Sequence, residues 1–517
     1  MRSLLPAFDV QRQELPRLLP ITGAYGLVMA SLYVLKPARN ALFLDRLGVA
    51  QLPVVLLLVA LVGGLAALVF SRFSARVRLD RLVFFTFLVL GACLLGFRLL
   101  LSLEWGWTYY LFYVWVNLYG LMATSLLWLL ANAMFNAREG RRLFGLIGTA
   151  GIAGAIIGGV ATGWIVTFTG TENLLLVCAG MVGLCLLLLY PVRIRETLPS
   201  AASDADGESP LATVTGSQLL TLLAGMAALA AAVAAVIDVQ FNQIVDQAFH
   251  DTDAKTAFFG QFFAGLSAFA LVFQILVAPR VLRSTGVTSA LLFLPISMAL
   301  GSLAVLFIPG LAAGMALKIG DGGFRHSIHK SATEILYLPV PVEAKKRTKV
   351  LLDTTVDNLA TGFGALIVLV ALALGLDYRH LSYVSLTLVG LWLIMVARSR
   401  RAYVDSFRHA LERREIDLSA YTVDLSEAGT LDSLVGVLRD TSNVRRLLYA
   451  LDMVSVVRAE RLVTPVAALL DHASGEIRVK ALQVLQLQQG QMPLERIGHL
   501  LDDDDVLAVR VEALQAL

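Results

Sequence analysis

Apolar runs recur through the first four-fifths of the chain, separated by short polar or charged breaks. A hydrocarbon core of about 30 Å takes about 20 apolar residues of helix to cross. The runs are Ile21 to Leu35, Leu52 to Phe70, Leu82 to Leu101, Tyr109 to Phe135, Leu143 to Val166, Asn173 to Tyr190, Leu219 to Val245, Ala257 to Ala278, Val287 to Ile308, Leu311 to Leu336, Val350 to Leu374 and Leu381 to Ala397. They predict an all-α protein with about twelve transmembrane helices. Met1 to Pro20 carries neither an apolar signal region nor a cleavage pattern, so it reads as a retained amphipathic lead-in. The tenth run is interrupted by Lys318, Asp321, Arg325 and His326.

The longest polar break, Arg193 to Ser217, falls between the sixth and seventh runs and divides them into six plus six. Two six-helix halves joined by a polar linker is the organisation of a major-facilitator-type transporter, whose site lies near the membrane midplane between the halves. The expected units are a first half at 1–192, a linker at 193–216, a second half at 217–398, a connector at 399–430 and a tail at 431–517. In the tail, Leu434 to Leu451, Val466 to Leu485 and Ile497 to Leu514 superimpose, with Arg445, Arg478 and Arg510 spaced by 33 and then 32 residues. A helix ending in leucines, a polar turn, then an aliphatic-Arg pair on a second helix resembles a HEAT-type α-solenoid repeat. Such repeats present a surface to a partner, here a cytoplasmic protein. A solenoid ending without a polar cap exposes apolar surface, so the natural chain is expected to continue past Leu517. The run Asp502 to Asp505 lacks the alternation and glycine of a calcium loop and reads as a solvated turn between helices.

Composition agrees with the pattern. Of 517 residues, 57% are hydrophobic and 16% charged, against about 25% charged in soluble proteins, and mean hydropathy is +0.74. A formal charge of +3 gives no basic excess of the kind a nucleic-acid binder needs. Arginine and lysine concentrate on one side: Arg72, Arg76, Arg78 and Arg81; Arg138, Arg141 and Arg142; Arg193 and Arg195; Arg280 and Arg283; Lys345 to Lys349; and Arg398 to Arg401. By the positive-inside rule both termini are cytoplasmic, as in an integral protein of a bacterial inner membrane surrounded by lipid. Cys93, Cys178 and Cys185 lie in apolar runs without metal-ligand or redox spacing and are assigned to packing.

An ionisable side chain at the centre of a membrane helix costs about 2.5–3.5 kcal/mol, so each is a functional candidate. These are Lys36 and Arg39 in the first helix, Arg98 in the third, Asp238 and Asp246 in the seventh, Lys318, Asp321 and Glu334 in the tenth, and Asp353 and Asp357 in the eleventh. Asp238 is followed by Gln240, Asn242 and Gln243, a polar stripe that lipid would not tolerate; the alternative is that these mark a helix end. Asp353 and Asp357 stand four apart, hence on one helical face, near Lys345 to Lys349. They fit an ion-paired gate or a coupling site equally well. His326 and His329 sit in a basic stretch that suggests a gate or a phosphate contact. Gly145, Gly148, Gly151, Gly154, Gly158 and Gly163 lack the strand and the Gly-Lys-Ser/Thr ending of a phosphate loop and are read as a close helix-packing face. No catalytic set, metal-ligand cluster or nucleotide-hydrolysis motif is present in the sequence, so neither an enzyme, a metal nor a cofactor is expected.

Two segments resemble the ATP/ADP translocase family of nucleotide transporters. Trp128 through Gly148, WLLANAMFNAREGRRLFGLIG, is similar to that family's sequence crossing from the fourth to the fifth helix. Thr333 to Pro339 within Ser331 to Gly364 resembles its Lys-Glu-Met-Ala-Tyr-Ile-Pro segment, and Phe259-Gly260 in the eighth helix also fits. The resemblance implies nucleotide exchange through charged cavity residues. Arg39, with Lys36 beside it, corresponds to a basic position and Asp238 to an acidic one, while three further charged positions fall at Asn117, Asn242 and Thr361. The substrate set is then Lys36, Arg39, Asn117, Asp238, Gln240, Asn242 and Thr361, with Arg141, Arg142, Glu334, Asp353 and Asp357 as gate or coupling residues. The leading expectation is a secondary transporter of a nucleotide or related anionic solute. The second is a membrane sensor or scaffold whose bundle binds a ligand and whose tail recruits a partner.

Overall fold

A computed structural model describes residues 10–11, 14–74, 78–192, 209–413, 428–439, 444–456, 460–487 and 493–517. The described residues are helical throughout, and ten of their helices are long and apolar enough to cross a membrane. The first half comprises α1 (Leu15–Leu47), α2 (Leu52–Ser74), α3 (Leu79–Leu101), α4 (Gly106–Met134), α5 (Ala137–Thr169) and α6 (Leu174–Leu189). The second comprises α7 (Pro210–Thr215), α8 (Gln218–Ala248), α9 (Thr252–Leu276), α10 (Ala278–Phe307), α11 (Leu311–Phe324), α12 (Lys330–Leu336), α13 (Val342–Val350), α14 (Asp357–Ala373) and α15 (Tyr378–Arg413).

The ten fall short of the expected twelve at two places. α6 is a shorter apolar helix of 16 residues. The tenth run is not one helix: a π-helical turn over Arg325–His329 separates α11 from α12. A second π turn, Leu351–Val356, joins α13 to α14. Of the expected linker, 193–208 lies outside the described residues and the remainder holds α7.

Glu14 and Arg142, at the starts of α1 and α5, pair at one end of the bundle, which we call the tail end because α15 leaves from it. Thr171 and Asp253 meet at the opposite, far end. Large apolar side chains such as Leu61, Leu99, Trp164 and Phe168 are exposed around the bundle, as a lipid-facing surface requires.

Glycine sets the closest approaches. A Cβ built on Gly154 would lie 2.1 Å from the Gly26 carbonyl oxygen, and one on Gly158 would lie 2.3 Å from that of Ala30. Gly154 and Gly158 therefore let α5 lie against the α1 backbone, and Gly151 makes room for the Tyr25 ring, the packing role expected of this stretch. On the same helix, a Cβ on Gly159 would lie 2.6 Å from the carbonyl oxygen of Gly260 on α9. That contact joins the two halves.

The two cores reveal where the halves meet. The first half's core takes in Val236, Val239, Phe241, Val245, Phe259, Phe262, Ala365, Val368 and Ala371, all from the far-end portions of α8, α9 and α14. The second core, among the described residues, has no member before Val214. The halves are thus sealed together toward the far end and share no core toward the tail end.

The tail contains α16 (Ala428–Arg439), α17 (Val444–Val456), α18 (Glu460–Ala468), α19 (Gly475–Leu487), α20 (Leu494–Asp503) and α21 (Leu507–Ala516). α16 packs on α17 and α18, α19 on both α17 and α21, and α20 on α21, so helix pairs stack in a row. The expected connector begins as helix: α15 runs 36 residues without interruption, and its buried Tyr403, Phe407 and Ala410 belong to the same core as Leu434, Val437 and Leu438. Residues 414–427 lie outside the described residues. The acidic turn is not wholly solvated: the Asp504 side chain is 4% exposed and lies 2.8 Å from the Arg478 guanidinium.

A charged cavity between the two halves

Between the halves lies a cavity of about 760 Å³. Its first-half wall comes from α1, α2, α4 and α5 and carries Lys36, Arg39, Asn40, Tyr113 and Asn117. The second-half wall comes from α8, α9, α11 and α14 and carries Asp238, Asn242, Ser267, Lys318, Asp321, Asp357 and Thr361, with Arg325 and His326 from the adjoining π turn. The liners reach toward the tail end as far as Gln274 and His326.

The first-half cations are held by aromatic rings and an amide. Pro37 supplies no N–H to the Tyr33 carbonyl one turn back, and the Thr162 hydroxyl of α5 lies 3.5 Å from that oxygen instead. Beside this break, the Arg39 guanidinium donates to Asn40 Oδ1 at 2.8 and 3.0 Å and lies 4.0 Å from the Tyr113 ring centre. The Lys36 ammonium lies 5.3 Å from the Tyr33 ring centre. Aromatic faces and a neutral amide stabilise the two cations without neutralising them. Among the described residues, neither forms an ion pair.

The second-half charges balance one another. Lys318 bonds Asp238 and, at 3.0 Å, Asp321. Arg325 donates to the same Asp321 at 2.7 and 2.9 Å, and to the Ala230 carbonyl at 3.0 Å. Two cations and two anions form one chain that ties α8 to α11. Lys318, Asp321 and Arg325 share a helical face at spacings of three and four, which is why one helix and the start of the π turn hold three of the four.

Of the substrate set expected from sequence, Lys36, Arg39, Asn117, Asp238, Asn242 and Thr361 line the cavity. Gln240 does not line it. Its amide donates to the Tyr378 carbonyl at 2.7 Å and to Ser382 Oγ at 3.1 Å, binding α8 to α15. Of the gate set, Arg142 donates to Glu14 at 2.6 Å within the first half, and the Arg141 side chain lies outside the described residues. Glu334 bonds Lys349 and lies 3.6 Å from Lys345, tying α12 to α13. Asp353 and Asp357 part company: the π turn between them leaves Asp353 facing Lys330 at 3.7 Å, while Asp357 lines the cavity. Lys318 and Asp321, functional candidates as charges in an apolar run, and His326, expected at a gate or phosphate contact, also line the cavity although the expected substrate set left them out, as does Arg325, which the sequence marked only as an interruption of that run.

The sequence profile of the Major Facilitator Superfamily matches residues 21–324, more than half of the chain. The chain belongs to the Major Facilitator Superfamily. Solved structures that this major facilitator resembles include a bacterial homologue of the iron transporter ferroportin in an inward-facing state, at TM-score 0.55 and 13% identity, covering 75% of this chain and 99% of that one. A bacterial homologue of the human lysosomal transporter Spinster, inward-facing and unoccupied, also gives TM-score 0.55 and 13% identity, with coverage of 77% and 99%. A point mutant of the nucleoside transporter NupG gives the same score and identity over 74% of this chain and 99% of that one. At these identities the resemblance is one of fold. No curated protein matches this major facilitator in sequence.

Proposed function

We propose that this protein is a secondary transporter of a nucleotide or a related anionic solute, working by alternating access. The observation that carries the proposal is the asymmetry of the cavity: among the described residues Lys36 and Arg39 form no ion pair, opposite a second-half chain whose charges pair with one another. An uncompensated cation in a cavity between membrane helices is costly, and a bound anion relieves that cost. The resemblance of Trp128 to Gly148 and of Thr333 to Pro339 to ATP/ADP translocases supports a nucleotide as the anion. The volume of about 760 Å³ falls within the roughly 300–1,000 Å³ of small-molecule sites.

In this reading α6 and the broken α11–α12 segment complete twelve spans, both termini are cytoplasmic, and the membrane is a bacterial inner membrane. The tail end then faces the cytoplasm, and halves sealed only at the far end correspond to an inward-open state. The stacked tail pairs act as a HEAT-type domain that regulates the bundle or holds a cytoplasmic partner. The unbroken α15, packed into both bundle and tail, supports regulation.

The test is thermal stabilisation of the detergent-purified protein by ATP, ADP, inorganic phosphates and sugar phosphates, since a ligand that binds only the folded state raises Tm. Stabilisation by ATP or ADP that Arg39→Ala removes is the expected result. Indifference to every anion would overturn the reading.

A further inference from the structure

We infer that the ligand of this cavity carries hydrogen-bond donors on a part of the molecule distinct from its anionic group, and that Asn117 and Asn242 receive them. The inference rests on the anion-site reading above. Asn117 Nδ2 donates to the Tyr113 carbonyl at 2.8 Å, and Asn242 Nδ2 donates to the Asp238 carbonyl at 2.7 Å, each to the residue one helical turn earlier. Those bonds fix the amide orientation, because a flipped amide would set Oδ1 against a carbonyl oxygen. Each Asn therefore spends a donor on its own helix and keeps its carbonyl oxygen as the group without a helix partner. Ser267 does the same from a third helix, giving its hydroxyl proton to the Phe263 carbonyl at 2.9 Å.

Asn242 adds an independent sign of a missing partner. It lines the cavity at 4% exposure, and its Oδ1 is buried with no hydrogen-bond donor. An unsatisfied buried acceptor costs about 1–3 kcal/mol, which a ligand donor recovers when the wall closes on it. The cavity is thereby sorted by chemistry: cations without an ion pair on α1, and neutral amide and hydroxyl acceptors on α4, α8 and α9. Inorganic phosphate or pyrophosphate would satisfy only the first set. A nucleotide, with phosphates at one end and sugar hydroxyls or an exocyclic base amine at the other, satisfies both.

The experiment measures binding of three probes to the full-length purified protein: ADP, inorganic pyrophosphate as an anion without the second set of donors, and adenosine as those donors without the anion. The expected result is that ADP binds more tightly than either. Asn242→Leu and, separately, Asn117→Leu should each weaken ADP by about three- to tenfold, the loss of one neutral hydrogen bond, while leaving pyrophosphate binding unchanged. Retained pyrophosphate binding also shows that the variant is folded. Loss of all binding in one variant passes the decision to the other position. If ADP affinity is unmoved in both variants, or pyrophosphate binds as tightly as ADP, the inference is overturned while the anion site stands. If no anion binds but adenosine does, and the Asn variants weaken it, the anion reading fails and the acceptor wall survives.

Discussion

The two walls of the cavity treat charge in opposite ways. On α1 in the first half, Lys36 and Arg39 rest against Tyr33, Tyr113 and Asn40, none of which carries opposite charge. On α8, α11 and the adjoining turn in the second half, Asp238, Lys318, Asp321 and Arg325 neutralise one another in sequence. The second arrangement is architecture, since each charge there is committed to another charge of the protein. The first leaves its two cations without an ion pair among the described residues, which is where the proposed anion would bind. The same distinction separates the stability cost of a mutation from its binding cost, and so it can be tested.

The largest effect is expected in the balanced wall. Asp321→Asn removes the anion that both Lys318 and Arg325 use, leaving an uncompensated cation where the wall is 4% exposed at Asp321. Breaking such a buried pair costs roughly 3–5 kcal/mol, so a large fall in Tm is expected. Adding Lys318→Met restores balance between Asp238 and Arg325, and the double variant should recover part of the loss. Equal Tm in the single and double variants would show that the four charges do not act as one chain. Next comes the open wall. Lys36→Met and Arg39→Met leave no carboxylate unpaired, so Tm without ligand should hold or rise, whereas ATP or ADP binding should fall about tenfold or more, the scale of one lost hydrogen bond to a charged group. A Tm loss matching that of Asp321→Asn would erase the difference between the walls.

A smaller effect tests the contact between the halves. Gly159→Ala places a Cβ 2.6 Å from the Gly260 carbonyl oxygen across the sealed end, while Gly148→Ala on the same helix meets nothing within 4 Å. Overpacking of this kind costs about 1–3 kcal/mol. The first variant should lower Tm and raise labelling of a cysteine placed at Thr171, whose hydroxyl donates to Asp253 across the seam at 2.6 Å. The second should do neither. Equal behaviour would mean that the glycines of α5 do not set the contact between halves.

The membrane character and the division into halves were legible because lipid demands long apolar runs and a linker outside the lipid demands polarity. Lys36, Arg39 and Asp238 were legible for the same reason, as charges that an apolar run must justify. What escaped is local geometry. Asp353 and Asp357 share a face only in an unbroken α-helix, and the π turn over Leu351–Val356 has no periodic signature to betray it. Gln240 looked equivalent to its neighbours because a stripe of polar residues gives composition without direction; the backbone sends it toward Ser382. Lys318, Asp321 and Arg325 were visible as interruptions of a run, but interruption alone does not distinguish a helix end from a cavity wall.

The smallest effect moves the logic of a committed charge out of the membrane and into the tail. Burial pushes the Asp504 carboxyl upward, but hydrogen bonds from Arg478 and from the Val506 N–H, with the charge of Arg478, outweigh it and hold the group below its ordinary value. Its folded-state value is thus depressed relative to about 3.9 in an unfolded chain. The stabilisation is fully present above that value and is lost as pH falls through the folded-state value. Thermal melts of the full chain should therefore show a small Tm deficit for Asp504→Asn at neutral pH that shrinks as both proteins are taken below pH about 4. Because the pair joins α19 to the turn before α21 and touches neither cavity wall, ligand binding at neutral pH should be the same in both proteins. A binding change there would mean that the tail reaches the cavity, with α15 as the only unbroken helix among the described residues that belongs to both regions.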